Sequence, residues 1–163
     1  LSFDHRLLEE MDGIAKMYPP LRSEDDRAVL TDALRSGLID SVATDHAPHS
    51  ANEKDVPFEE APRGVIGLET AAGAIHTDVG LGPVDFFDRL SVAPARIAQL
   101  DDQGRWPAVG SVANLTVFHP DRPVEVGPQF ASRSSNSPWV GRTLAGSVLA
   151  TIHRGTVTHQ EAR

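Results

Sequence analysis

Thr44-Asp45-His46-Ala47-Pro48-His49 places one carboxylate and two imidazoles within five residues. Carboxylate and imidazole are both good zinc ligands, so the segment is a candidate metal or hydrolytic site. The same residues admit a plainer reading, in which Asp45 ends a strand and caps the following turn while both histidines are solvated. Composition alone leaves the two readings open. The remaining histidines, His5, His76, His119, His153 and His159, are scattered without ligand spacing and read as surface or capping residues. Glu69 reads most plainly as a carboxylate favoured by the electrostatics of a helix's first turn.

The elements that must position these groups follow from pattern. Pro19 and Pro20 rule out regular helix, and Ser23 can then cap a new one by accepting from the backbone N–H of Asp26. Val29, Leu30, Ala33 and Leu34 fall on one face at three- and four-residue spacing, and Gly37 supplies a left-handed stop. Leu38 to Thr44 is short, apolar-rich and partly β-branched, which predicts a buried strand with Asp45 at its C-terminal end. In a parallel barrel that end carries the chemistry. His46 to Gly67, polar and with three prolines, predicts a long ordered loop. Leu68, Ala71, Ala72 and Ile75 predict the next helix, and Val84 to Leu90 and Pro94 to Leu100 two further short ones. From Gly104 the chain turns β-rich, with strands expected over Ala113 to Phe118 and Ser147 to His153. Arg154-Gly155 has the length of a hairpin turn leading into Thr156 to His159.

Composition narrows the function classes. Fifteen Lys+Arg against 23 Asp+Glu give a net charge of -8, with no basic run to neutralise a phosphate backbone, which argues against nucleic-acid binding. With no cysteine there are no disulfides and no thiolate metal sites, which is compatible with a reducing compartment, the cytoplasm being the default expectation. No apolar run approaches the roughly 20 residues that span a bilayer, so no membrane partner is expected. A complete (β/α)8 enzyme takes about 250 residues against 163 here, and the chain opens on Leu1 without a turn or cap signal. It therefore reads as a piece of a longer protein.

TDHAPH, with the upstream Lys16-Met17-Tyr18-Pro19-Pro20-Leu21-Arg22 and the downstream Ala61-Pro62-Arg63-Gly64 and Gly67-Leu68-Glu69-Thr70, resembles the dihydroorotases in order and spacing. Asn136-Ser137-Pro138-Trp139, Gly141 and Gly146 through Gly155 are similar to the tail of the same family, so the likeness covers nearly the whole chain. Allantoinases and hydantoinases share the strand-end Asp-His but usually continue differently. They remain the enzyme alternative, acting on another cyclic amide.

The resemblance implies an α/β fold: the C-terminal portion of a (β/α)8 barrel over residues 1–100, then the C-terminal strands of a small β-sandwich domain over 101–163. It implies reversible, zinc-dependent hydrolysis of the ring amide of dihydroorotate to N-carbamoyl-aspartate, in de novo pyrimidine synthesis. Asp45 would ligate zinc and act as the catalytic proton shuttle, in a site of two zinc ions whose other ligands, including a His-x-His pair absent here, precede Leu1. His49 would hydrogen-bond the substrate, and Arg63 and Gly64 would contact its ring through backbone groups. His46 takes a structural role. Tyr18 departs from the asparagine that binds substrate at this position in many members, which removes the direct warrant for a contact there. Asn114 departs from a common aspartate and is expected to affect packing only. The isolated chain is expected to be inactive. As partners the resemblance allows a homo-oligomer or an aspartate transcarbamoylase assembly, and a catalytically silent subunit supporting that assembly is the competing reading from another class.

Overall fold

A computed structural model of the chain describes residues 1–161. Helices fill the first part: α1 (Leu7–Met11), continued by a 3-10 turn (Asp12–Ala15), α2 (Glu24–Ser36), α3 (Ala51–Lys54), α4 (Ala71–Asp78), α5 (Pro83–Phe87) and α6 (Ala93–Ile97). A single π turn (Asp88–Val92) joins α5 to α6, so the two short helices expected from sequence form one continuous helical run. Five strands follow: β1 (Leu115–His119), β2 (Val124–Glu125), β3 (Thr143–Leu144), β4 (Ser147–His153) and β5 (Thr156–Gln160).

The ends of α2 are set locally. The Ser23 hydroxyl accepts from the Asp26 N–H, the Asp26 carboxylate accepts from the Ser23 N–H, and Gly37 closes the helix at φ 81° with its N–H on the Leu34 carbonyl. The Ser23 hydrogen bonds hold the Asp26 carboxyl below its ordinary range. The buried face is shifted from the expected one, sharing with it Leu34 and the half-buried Ala33. Val29 and Leu30 are exposed, whereas Arg27 is half-buried and Thr31 and Leu34 are buried, at i, i+4 and i+7. Thr31 tolerates burial because its hydroxyl donates to the Arg27 carbonyl at 2.9 Å.

Leu38 to Thr44 is not a strand. The segment is irregular and Leu38 is 81% exposed, although Ile39 and Val42 pack against the main core and the Val42 N–H donates to the Arg89 carbonyl. A parallel strand exists only through ladder neighbours, and none pairs with this stretch among the described residues. Apolar content places the segment against the core but cannot make it β by itself.

Two clusters hold the molecule together, and α4 contributes to both. Ile75 and Val79 join Leu34, Leu81 and Phe86, while Ala74 packs with Val126 and Leu144. The β tail reaches the helical core through Phe118, which stacks on Phe86 with centroids 4.9 Å apart and lies nearly perpendicular to His76 at 5.4 Å. The antiparallel sheet runs β1-β4-β5, beside a separate β2-β3 pair. As expected, Arg154-Gly155 turns β4 into β5, with both residues at positive φ (50° and 80°), the geometry of a type I′ turn. Asn114 does more than pack: its amide donates to the Asp102 carbonyl and accepts from the Arg154 N–H, each at 2.8 Å, tying the hairpin turn to the segment before β1.

Candidate functional site

Segments up to 89 residues apart in sequence converge on 45–49. Asp45 stands exposed at φ 46°, in the left-handed region that Asp tolerates better than most residues and where strain collects at functional sites. His46 is a structural residue, as expected. Its Nδ1 accepts from the N–H groups of Gly67 (3.2 Å) and Leu68 (3.3 Å), which fixes the neutral ring's proton on Nε2. His49 Nε2 lies 3.0 Å from the Arg63 carbonyl. Neither histidine is merely solvated, so the plain reading of this motif as a simple turn fails for both.

The chain around Gly64 is folded onto this motif from three sides. The Gly64 N–H donates to the Lys16 carbonyl at 2.9 Å, the Ala47 N–H donates to the Val65 carbonyl at 2.9 Å, and the Ile66 N–H donates to the Asn136 carbonyl at 3.1 Å. Gly64 has φ 115°, and a Cβ there would lie 2.5 Å from the Ala47 Cβ, so the two strands of chain meet this closely only through a glycine. The Arg63 guanidinium stands over the Tyr18 ring, 5.0 Å from its centroid. Tyr18, His49, Arg63 and Gly64, four positions picked out in the sequence, are thus linked by contacts to one another and to the segment that follows Asp45.

Two lysines clamp the loop between them. Lys54, only 5% exposed, donates to the Gly13 carbonyl (3.1 Å) and the Pro62 carbonyl (2.8 Å). Burial, and secondarily the charge of Lys16, hold its pKa below the ordinary lysine value. Lys16 donates to the Phe58 and Glu59 carbonyls at 2.6 and 2.9 Å. Pattern gives no warning of a buried Lys54. The local signal is only the capping box that starts α3, in which Ser50 and Glu53 cap each other.

Glu69 corrects another expectation. It lies before the Thr70 cap of α4, and its carboxylate reaches the tail, accepting from the Ala131 N–H (2.7 Å), the Ser132 N–H (3.0 Å) and the Ser132 hydroxyl (2.6 Å). Desolvation raises its pKa, but these hydrogen bonds outweigh it and leave the carboxyl below its ordinary value. Asn136, which sequence reasoning placed only in a tail motif, is 6% exposed and sits between the 47–49 and 64–66 segments.

A catalytic zinc takes three protein ligands. Among the described residues no three His, Cys, Asp or Glu side chains converge to hold a metal, so these residues do not by themselves complete a three-ligand zinc site around Asp45. Nor is any helix among the described residues long and apolar enough to cross a membrane.

No family model matches the chain. Curated relatives do. A dihydroorotase from Mycobacterium tuberculosis is 44% identical over 168 aligned positions, covering 100% of this chain and 39% of the relative, and one from Macrococcus caseolyticus is 39% identical with the same coverage. Among solved structures, an L-hydantoinase (dihydropyrimidinase) from Arthrobacter aurescens superposes on all of this chain and 38% of its own length with a TM-score of 0.91 at 27% identity. A D-hydantoinase (dihydropyrimidinase) from a Thermus species covers 91% of this chain with a TM-score of 0.81. The chain is similar to the dihydroorotases over its whole length, and it spans about two fifths of the length of the curated relatives it matches.

Proposed function

We propose that this chain forms one wall of the active site of a dihydroorotase, hydrolysing the ring amide of dihydroorotate reversibly to N-carbamoyl-aspartate. The observation that supports it best is the set of contacts joining Tyr18 to Arg63, Arg63 to His49 and Gly64 to the segment that follows the exposed Asp45, in a chain 44% identical to a dihydroorotase. In this reading residues 1–100 are the last part of a (β/α)8 barrel and 101–163 complete a small β domain. Leu38 to Thr44 then pairs as a strand only beside the rest of that barrel.

Asp45 acts as proton shuttle, accepting a proton from the attacking water and returning it to the departing ring nitrogen. His49 donates or accepts at the substrate's polar edge while its ring stays anchored to the Arg63 carbonyl. The Gly64 carbonyl, which accepts from Asn136 Nδ2, keeps a second lone pair for the ring. A zinc centre, which the resemblance implies, needs ligands from outside residues 1–161. The isolated 163-residue chain is accordingly expected to show no turnover, and measurable ring opening by it would refute that expectation.

The test of the reading is ring opening of dihydroorotate by the full-length protein and its Asp45→Asn variant. Loss of about 100-fold or more in kcat supports the shuttle role, and near-parental activity overturns it. A hydantoinase-type activity is the second reading, supported by the TM-score of 0.91 to an L-hydantoinase. Turnover of hydantoin or dihydrouracil in preference to dihydroorotate would establish it. A full-length protein inactive on all three would favour the silent, assembly-supporting subunit.

A further inference from the structure

Asn136 lies in the β tail, and its side-chain amide reaches groups 72 to 89 residues earlier in the chain. Its Oδ1 accepts from the His49 N–H at 3.1 Å, and its Nδ2 donates to the Ala47 carbonyl at 3.0 Å and the Gly64 carbonyl at 3.2 Å. That orientation of the amide is required, since the two carbonyls need donors and the N–H needs an acceptor. Ser134 completes the cluster, its hydroxyl lying against both the His49 carbonyl and Asn136 Oδ1. The backbone carbonyl of Asn136 adds the bond from the Ile66 N–H. One side chain therefore cross-links the segment carrying His49 to the segment carrying Gly64, and every polar atom of its amide is used.

We propose that Asn136 is the positioning residue of this site, holding the His49 segment and the Gly64 backbone at the separation that receives the substrate ring. The proposal rests on the functional reading above. No other side chain substitutes easily. Aspartate keeps the shape and the acceptor for the His49 N–H, but it turns a carboxylate oxygen toward two carbonyl oxygens and leaves both without a donor. Alanine removes all three bonds and leaves buried polar groups unpaired. A site loosened in this way binds its substrate in a wider range of geometries, which weakens binding before it affects the proton shuttle at Asp45, a residue Asn136 does not touch.

The test compares the full-length protein with its Asn136→Asp, Asn136→Ala and Ser134→Ala variants, Ser134→Ala being the mildest should alanine at 136 prevent folding. Steady-state kinetics with dihydroorotate are read beside backbone hydrogen exchange of the His49 amide. The expected result is a KM raised about tenfold in Asn136→Asp with kcat within about threefold of the parent. The His49 amide should stay protected in Asn136→Asp, where the acceptor survives, and lose protection in Asn136→Ala. Ser134→Ala should give a smaller KM increase in the same direction. Folded variants with parental KM overturn the positioning role, as does a loss confined to kcat. A parent that turns over no dihydroorotate overturns the functional reading and this role with it, an outcome distinct from an active parent matched by its variants.

Discussion

Gly64 shows at the residue scale how the site depends on what a side chain would exclude. A Cβ at this position would stand 2.5 Å from the Ala47 Cβ, on backbone at φ 115° that L residues rarely adopt. Gly64→Ala is expected to cost about 2 kcal/mol or more through combined strain and overpacking, measured as a lower urea midpoint, and to impair substrate binding in the full-length protein. An unchanged midpoint would show that the Ala47 segment yields freely. Asp45 belongs to the same scale: its type and position in the motif were legible in sequence, and its left-handed backbone was not, because φ at a single aspartate depends on how the following loop closes. His46 was assigned a structural role from sequence, but its two backbone partners, Gly67 and Leu68, become visible only once the loop returns.

The α2 caps were readable because capping is local: Ser23, Asp26 and Gly37 act within one turn of the helix end, and each bond expected there is present. Ser23→Ala is expected to destabilise the fold by about 1 kcal/mol, read as a lower midpoint in denaturant, with Ser23→Asp largely preserving it. The buried face of the same helix was readable only in part, at Ala33 and Leu34. Val29 and Leu30 are as apolar as any core residue, yet the covering elements sit over Thr31 and Leu34. Leu38 to Thr44 makes the same point for strands, since its composition suits β structure but a ladder needs a neighbour.

Across the whole molecule, the β tail is tied to the site region by Phe118 on Phe86, by Asn136, and by the Glu69 carboxylate on Ala131 and Ser132. The Glu69 bond is pH-sensitive in a defined sense. Its pKa in the folded chain lies below the ordinary 4.5, so its stabilisation is present above the unfolded value and is lost as pH falls through the folded one. Exchange protection of the Ala131 and Ser132 amides, corrected for intrinsic rates, is therefore expected to hold at about pH 6 and to fall only as pH drops below about 4.5. In Glu69→Gln it should be weak throughout that range. Protection independent of pH in the parent would show that the tail is held without this carboxylate.

What acts over a few residues could be read along the chain: the caps of α2, the Arg154-Gly155 hairpin, the helix at Ala71–Asp78, and the set of side chains able to do chemistry around Asp45. Each rests on local hydrogen bonding, on φ preference, or on a motif whose members are neighbours in the chain. It took the folded chain to show that Asn136 and Lys54 bridge distant segments, that Glu69 serves the tail rather than its own helix, and that Leu38 to Thr44 stays irregular among the described residues. Those outcomes depend on which distant carbonyls and N–H groups are left facing a buried side chain. Hydrogen bonds spanning 41 to 89 residues leave no periodic trace in the chain that makes them.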